Sequence, residues 1–317
     1  MKKQIKLNAA VFMLSGRKKI LPITLDLFYK NWNNYYEYPL FIYTLNKVYS
    51  KNEINFLQKK YKGLKFIQVK PKIPSNIQTK DLFFNRSYNT YVQKKFDIRR
   101  LGYLHMIYFK SNMSFFGEWG CTRKHLAKYD YLMIIDDDSW FKKKINFNLF
   151  EKLKKYPMAT AYSEICDDKS LIRTRENLLF FLKGFVKKYK ITVKNKVLKK
   201  ILASNDEQNL TKITYSMGNL DLFSMKIFKS KLYQKYIKEV NKFGGQYKYR
   251  WGDIEITNLF LYLYYEKPIY DYKLYPKIYE HTYPGSKPVY FYNGKNNFLL
   301  KIFNLFINRL KHIVKLT

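Results

Sequence analysis

The sequence predicts an α/β fold with a mainly parallel central sheet flanked by helices. Three observations carry that expectation. Short apolar runs alternate with helically periodic stretches through the first half of the chain, and strand–helix–strand repetition favours parallel pairing through right-handed crossovers. One run, Leu132–Ile135, ends abruptly in Asp136-Asp137-Asp138, the signature of a strand whose C-terminal end meets a ligand. The chain also has 317 residues, 47% of them hydrophobic, enough for a sizeable core.

The elements follow in order. Ala9–Leu14 is apolar and closed by Ser15-Gly16-Arg17, a strand and then a turn. Ile20–Trp32 has helical periodicity, with Pro22 in the first turn where it is tolerated. Tyr38–Leu45 reads as a second strand, Lys51–Tyr61 as a helix and Lys65–Val69 as a third strand. Lys70–Asn89, with Pro71 and Pro74, reads as a loop, Asp97–Asn112 as a helix and Tyr131–Asp136 as a fourth strand. The second half is less regular. Met158–Ser163 is strand-like, and residues 167–202 form a Lys-rich segment with a helical pattern, an insertion into the domain. Asn219–Ile227 is a mixed strand. Ser230–Lys242 is a helix with Ser230 as N-cap and Gly244-Gly245 as its stop. Ile254–Tyr265 is another helix, and Ile269–Tyr279 a Tyr-rich strand.

No repeat or flexible linker interrupts residues 1–296, so one domain is expected there. Residues 297–317 stand apart as a basic amphipathic helix, with Phe298, Ile302, Phe306 and Leu310 on one stripe among Lys301, Arg309 and Lys311. Such a helix either lies in a membrane interface as a peripheral contact or packs its apolar face on the core.

Sixty Lys and Arg against 24 acids give a formal charge of +36. That balance attracts phosphate-bearing partners, although a chain rich in Lys, Asn, Ile, Tyr and Phe owes part of it to codon composition. Nucleic acid is a poor candidate, because no zinc spacing, RNP signature or basic zipper occurs. No dinucleotide fingerprint, Walker loop or nucleophile elbow is present either. Cys121 and Cys166 lack metal spacing and suit a reducing compartment. Ala9–Leu14 is too short to span a membrane and lacks a cleavage site, so the expected location is the cytoplasmic side, without signal peptide or anchor.

Three clusters bear on chemistry. In the first, strand alternation points Asp136 and Asp138 one way and Asp137 the other. Adjacent carboxylates repel, and hard oxygen ligands suit Mg²⁺ or Mn²⁺ shared with phosphates; the bland alternative is an acidic loop before a helix at Phe147–Tyr156. The second is Gly244-Gly245 through Trp251-Gly252-Asp253. There Asp253 either caps the following helix or hydrogen-bonds sugar hydroxyls beside a stacking Trp251. The third is Tyr279-Glu280-His281 before Pro284-Gly285, where His281 is either structural or a metal ligand.

Taken in order, these clusters resemble glycosyltransferase family 15, the fungal α-1,2-mannosyltransferases. The resemblance runs from Ala10-Val11-Phe12-Met13-Leu14 through Gly102-Tyr103-Leu104-His105-Met106, Asp136-Asp137-Asp138 and Gly218-Asn219-Leu220-Asp221 to Trp251-Gly252-Asp253 and Tyr279-Glu280-His281. It implies a GT-A-type fold, GDP-mannose as donor, Mn²⁺ (or Mg²⁺), a glycan or glycoprotein acceptor, and retention of configuration. It implies Asp136, Asp138 and His281 at the metal, and Tyr103, Ser216, Asp221 and Asp253 at the reacting sugar. The expected donor-binding set is Phe12, Leu14, Ser15, Arg17, Tyr43, His105, Asp137, Asn219, Arg250 and Trp251. One departure matters: Ser216 stands where the family has a candidate nucleophilic Glu. The rival reading is therefore a decayed transferase scaffold serving as a basic membrane- or nucleic-acid-binding protein.

Overall fold

The computed structural model describes residues 6–45, 48–69, 78, 123–165, 175–249 and 251–281. All belong to one compact unit, Met1–Tyr283. The expected helices at 97–112 and 297–317, nearly all of the 70–89 loop, and Tyr103, His105 and Arg250 lie outside the described residues.

A seven-stranded sheet organises the unit. Its strands are β1 (Ala9–Leu14), β2 (Leu40–Leu45), β3 (Leu64–Val69), β4 (Tyr131–Asp136), β6 (Met158–Thr160), β9 (Leu220–Ser224) and β10 (Ile269–Asp271), in the order β10-β6-β9-β4-β1-β2-β3. Every neighbouring pair is parallel except the two made by β9, which runs against β4 and β6. The sheet is thus mainly parallel, as expected. Two short ribbons complete it: β5 (Ser139–Phe141) with β11 (Tyr279–His281), and β7 (Ser163–Ile165) with β8 (Thr214–Ser216).

Both faces of the central strands are apolar, which is why β1 and β4 read as unbroken apolar runs rather than as alternating ones. On one face Val11, Met13, Ile42, Met133 and Ile135 pack with Leu21, Leu25, Phe28 and Trp32. On the other Phe12, Tyr43, Ile134 and Phe223 meet the helices Leu178–Lys188, Lys231–Phe243 and Asp253–Tyr264. The Lys231–Phe243 helix has the caps its sequence specifies. Ser230 Oγ accepts from Tyr233 N at 3.1 Å, and Gly244 closes the helix at φ 73°, a conformation glycine adopts without a Cβ penalty.

Several boundaries differ from expectation. The Ile20–Trp32 stretch is an α-helix only over Leu21–Phe28 and continues as a π-turn through Asn33. Phe147–Tyr156 yields only a 3₁₀ turn, Glu151–Lys154. The 167–202 segment is broken into Leu178–Lys188 and Lys196–Ala203, the second capped by Asn195 Oδ1 on Leu198 N at 2.8 Å. Asn219–Ile227 is strand only to Ser224 and then helix. Ile269–Tyr279 is two short strands. Some misses, such as Asn219–Ile227, join two elements that share one apolar run, which composition alone cannot divide. No described helix is long and apolar enough to cross a membrane.

Candidate active site

β4 delivers its acids to the strand ends where β1 also stops, Leu14 pairing with Asp136. Past Asp136 the chain turns at once and re-enters β5, whose Ser139 pairs with His281 of β11. A turn of two residues therefore brings an imidazole 143 positions away in sequence beside the acids. Oxygens of Asp136 and Asp138 and a ring nitrogen of His281 lie within 4.8 Å of one another. His281 Nδ1 is 3.5 Å from Asp138 Oδ1 and 2.9 Å from Ser139 Oγ, to which the buried Tyr279 hydroxyl donates at 2.8 Å.

The donor set fits a divalent cation. Two carboxylates and one imidazole suit Mn²⁺, and the carboxylates suit Mg²⁺. Asp138 Oδ1 is buried yet accepts no hydrogen bond among the described residues. An anionic oxygen left so is costly unless a cation meets it.

Asp137 points the other way, as alternation requires, and has a structural task. Its Oδ2 accepts from Ser15 Oγ at 2.9 Å and from the amides of Gly16 and Arg17, each at 3.3 Å. Its Oδ1 accepts from Arg17 Nη1 at 2.9 Å, and its carbonyl accepts from Thr24 Oγ1 at 2.7 Å. Asp137 and Ser15 are thus buried bolts between the ends of β4 and β1, not nucleotide contacts as expected from the sequence. Burial pushes the Asp137 carboxyl up to about 6, opposed by Arg17 and reinforced by Asp138 and Asp136. Arg17 also pairs with Asp138, and its side chain remains 51% exposed. It is thus a cation at these strand ends that can meet a phosphate.

Beside the acids lies a small cleft with room for about one water, lined by Ile134, Gly218, Asp221, Phe223, Asp253 and Asn258, among others. Asn219 joins the two regions, because its carbonyl accepts from Asp136 N at 3.0 Å. Asp221 pairs with Ile134 across β4–β9 and so shares the sheet face of Asp136. Ser216, fully buried, donates to Asp221 Oδ2 at 3.0 Å. Asn258 in turn donates to Ser216 Oγ at 3.1 Å and accepts from Ser216 N at 3.0 Å. A serine so enclosed positions Asp221; its place in the sequence alone had suggested contact with the sugar. Gly218 is required twice over: its φ is +72°, and a Cβ there would stand 2.6 Å from Ile254.

Other expectations are corrected. Trp251 is 0% exposed. Phe243 stacks on it at 5.1 Å, Phe181 lies at 5.3 Å, and a Cβ on Gly245 would fall 2.3 Å from the indole. The indole is therefore walled into the core and cannot stack on a sugar. Phe12 and Tyr43, also at 0% exposure with rings 5.0 Å apart, are core residues that present no surface to a donor. Leu14 is half-buried at the end of β1. Asp253 is the first residue of its helix rather than the cap, a place held by Gly252 with no side-chain cap bond.

Nothing in the sequence pattern points to Arg175. It is 2% exposed, pairs with Glu255 at 3.3 Å and lies 4.8 Å over the Tyr215 ring. Its partners are 80 and 40 residues away, with no periodic pattern linking them.

A mainly parallel sheet presents two carboxylates and an imidazole at its strand ends, with an arginine alongside, an arrangement that suits a glycosyltransferase. Residues 1–273 match the model of the glycolipid 2-alpha-mannosyltransferase family, and the chain belongs to that family. It is similar to the mannosyltransferase Ktr4p from S. cerevisiae in complex with GDP (TM-score 0.68, 20% identity, covering 87% of this chain and 71% of that one). It is similar also to core-mannan synthase A (CmsA/Ktr4) from Aspergillus fumigatus in its Mn/GDP form (TM-score 0.67, 17% identity, covering 90% and 80%). These neighbours share the GT-A-type fold. No curated protein sequence matches the chain.

Proposed function

We propose that this mannosyltransferase-family enzyme transfers mannose, with retention, from GDP-mannose to a hydroxyl of a glycan or glycoprotein, and that it requires Mn²⁺ or Mg²⁺. The observation that carries the proposal is the Asp136, Asp138 and His281 cluster at the end of β4. The GDP and Mn/GDP forms of the two neighbours support the choice of nucleotide and metal. A cation held by these three side chains supplies Lewis acidity toward the diphosphate. Arg17 adds a second positive charge where negative charge develops on the departing GDP. Asp221 and Asp253, which line the small neighbouring cleft, contribute negative charge to the field felt by the positive sugar of a dissociative transition state. The acceptor oxygen bonds to the anomeric carbon as the sugar–phosphate bond breaks, and its proton passes to the leaving phosphate. Peripheral membrane contact through residues 297–317 remains part of the proposal.

The test is GDP release from GDP-mannose with MnCl₂ and methyl α-mannoside as acceptor. The expected outcome is mannosyl transfer that stops on adding EDTA and returns with excess Mn²⁺. Equal use of UDP-glucose would refute the donor assignment, and full activity in EDTA would refute the metal.

A further inference from the structure

The segment just before the Leu178–Lys188 helix reads in sequence as part of a Lys-rich insertion. In the structure it holds the start of the Asp253–Tyr264 helix and the residue Trp251 before it at two points. The Glu176 carbonyl accepts from Trp251 Nε1 at 2.9 Å. Arg175 Nε donates to Glu255 Oε1 at 3.3 Å. Asp253 lies midway between those two anchors, two residues from each. Gly252 is pressed against the same Glu255, since a Cβ there would stand 2.5 Å from its Oε2. Arg175 also lies 4.8 Å over the ring of Tyr215, the residue before Ser216. One buried guanidinium therefore contacts both β8, whose Ser216 holds Asp221, and the first turn of the helix that carries Asp253.

We propose that Arg175, with the Glu176 carbonyl, is a positioning device that sets the Asp253 carboxylate against Asp221 across the cleft. The inference rests on the reading of Asp253 as a residue of the reaction site. Its physical basis is rigidity. A carboxylate on the first residue of a helix is only as well placed as that helix start. Here no side-chain cap fixes the start, and the fixing comes from outside, through Trp251 and Glu255. A buried ion pair is a poor source of net stability, because the attraction is offset by desolvation. It holds geometry well, because either charge alone in that environment is strongly disfavoured.

This separates placement from stability. Replacing both charges together, Arg175→Met with Glu255→Met, leaves neither member of this pair as an orphan charge and should keep the melting temperature near the parent's. Turnover of GDP-mannose with Mn²⁺ should nevertheless fall by about ten- to a hundredfold, the scale of a misplacement of about 1 Å. KM for GDP-mannose should hardly move, because the strand-end cluster is untouched. Trp251→Phe, which keeps a ring but loses the N–H, should show the same split more weakly, and it decides the matter if the double variant does not fold. Asp253→Asn is the reference. If it is inactive while a folded double variant, or failing that Trp251→Phe, has parental kcat, the positioning inference is wrong and the site reading stands. If Asp253→Asn keeps full turnover, the site reading itself falls.

Discussion

The strand-end cluster and the neighbouring cleft both present carboxylates on one sheet, yet they hold them by opposite means. At the end of β4, Asp136 and Asp138 are half-buried, and a buried oxygen of Asp138 accepts no hydrogen bond among the described residues. In the cleft, Asp221 takes a hydrogen bond from a serine that is itself tied to Asn258 at two points. The first region is organised by charge, with Arg17 paired to Asp138 and His281 close by. The second is organised by directional bonds from neutral donors and is backed by the core. Changes in the first should therefore cost activity and metal affinity while the fold persists. Changes in the second should cost stability and activity together.

The largest expected effect tests that division directly. Asp136→Ala removes one carboxylate of the cluster but no core packing. Turnover should fall by about a hundredfold or more, the scale of losing a key electrostatic contact at a developing charge. The melting temperature without metal should stay level or rise, because repulsion among three adjacent acids is relieved. Calorimetric titration with Mn²⁺ and GDP should show binding lost. A variant that unfolds would place Asp136 in the structural class and collapse the comparison.

The same division explains what could be read from the sequence. The strand-end cluster was legible because its parts are local: an apolar run, three acids and a two-residue turn. β1 and β4 were expected at Ala9–Leu14 and Tyr131–Asp136 and are found there. Alternation gave the direction of Asp137, though not the Ser15 and Arg17 groups that receive it. His281 stands out in its own cluster, but its meeting with the acids came through the family resemblance, since nothing local ties it to residues 143 positions earlier. The cleft was much less legible. Trp251 looked like a ligand-stacking residue because aromatic identity says nothing of burial, and its wall of Phe181, Phe243 and Gly245 comes from three different elements. Arg175 looked like one more cation in a chain of 60. Only the fold shows that this one is buried and paired.

A smaller effect sharpens the first region. Ser139 Oγ sits between the Tyr279 hydroxyl and His281 Nδ1 and so orients the ring. Partners that orient a ligating imidazole typically matter tenfold to a hundredfold in metal affinity. Ser139→Ala should weaken Mn²⁺ binding by about tenfold, read by electron paramagnetic resonance titration in the presence of GDP. An unchanged affinity would show that the ring is held by its strand alone.

The smallest effect on turnover is expected at Ser216, where the family has its candidate nucleophile and where the two regions differ most. The Ser216 hydroxyl is fully buried and already committed to Asp221 and Asn258, so it is not placed to attack a sugar. Without a partner base a serine hydroxyl is also a weak nucleophile. Ser216→Ala leaves a carboxylate oxygen and an amide N–H short of one partner each. Such orphaned groups cost about 1–3 kcal/mol of stability. Asp221 retains its place on β9, fixed by the pairing of Leu220 and Leu222 with β4, so the carboxylate loosens without leaving. Turnover should then fall by less than tenfold while the urea midpoint drops clearly. That pattern is the reverse of the one expected for Asp136→Ala. A Ser216→Ala enzyme as inactive as Asp136→Ala but fully stable would make Ser216 a direct participant and erase the distinction between the two regions.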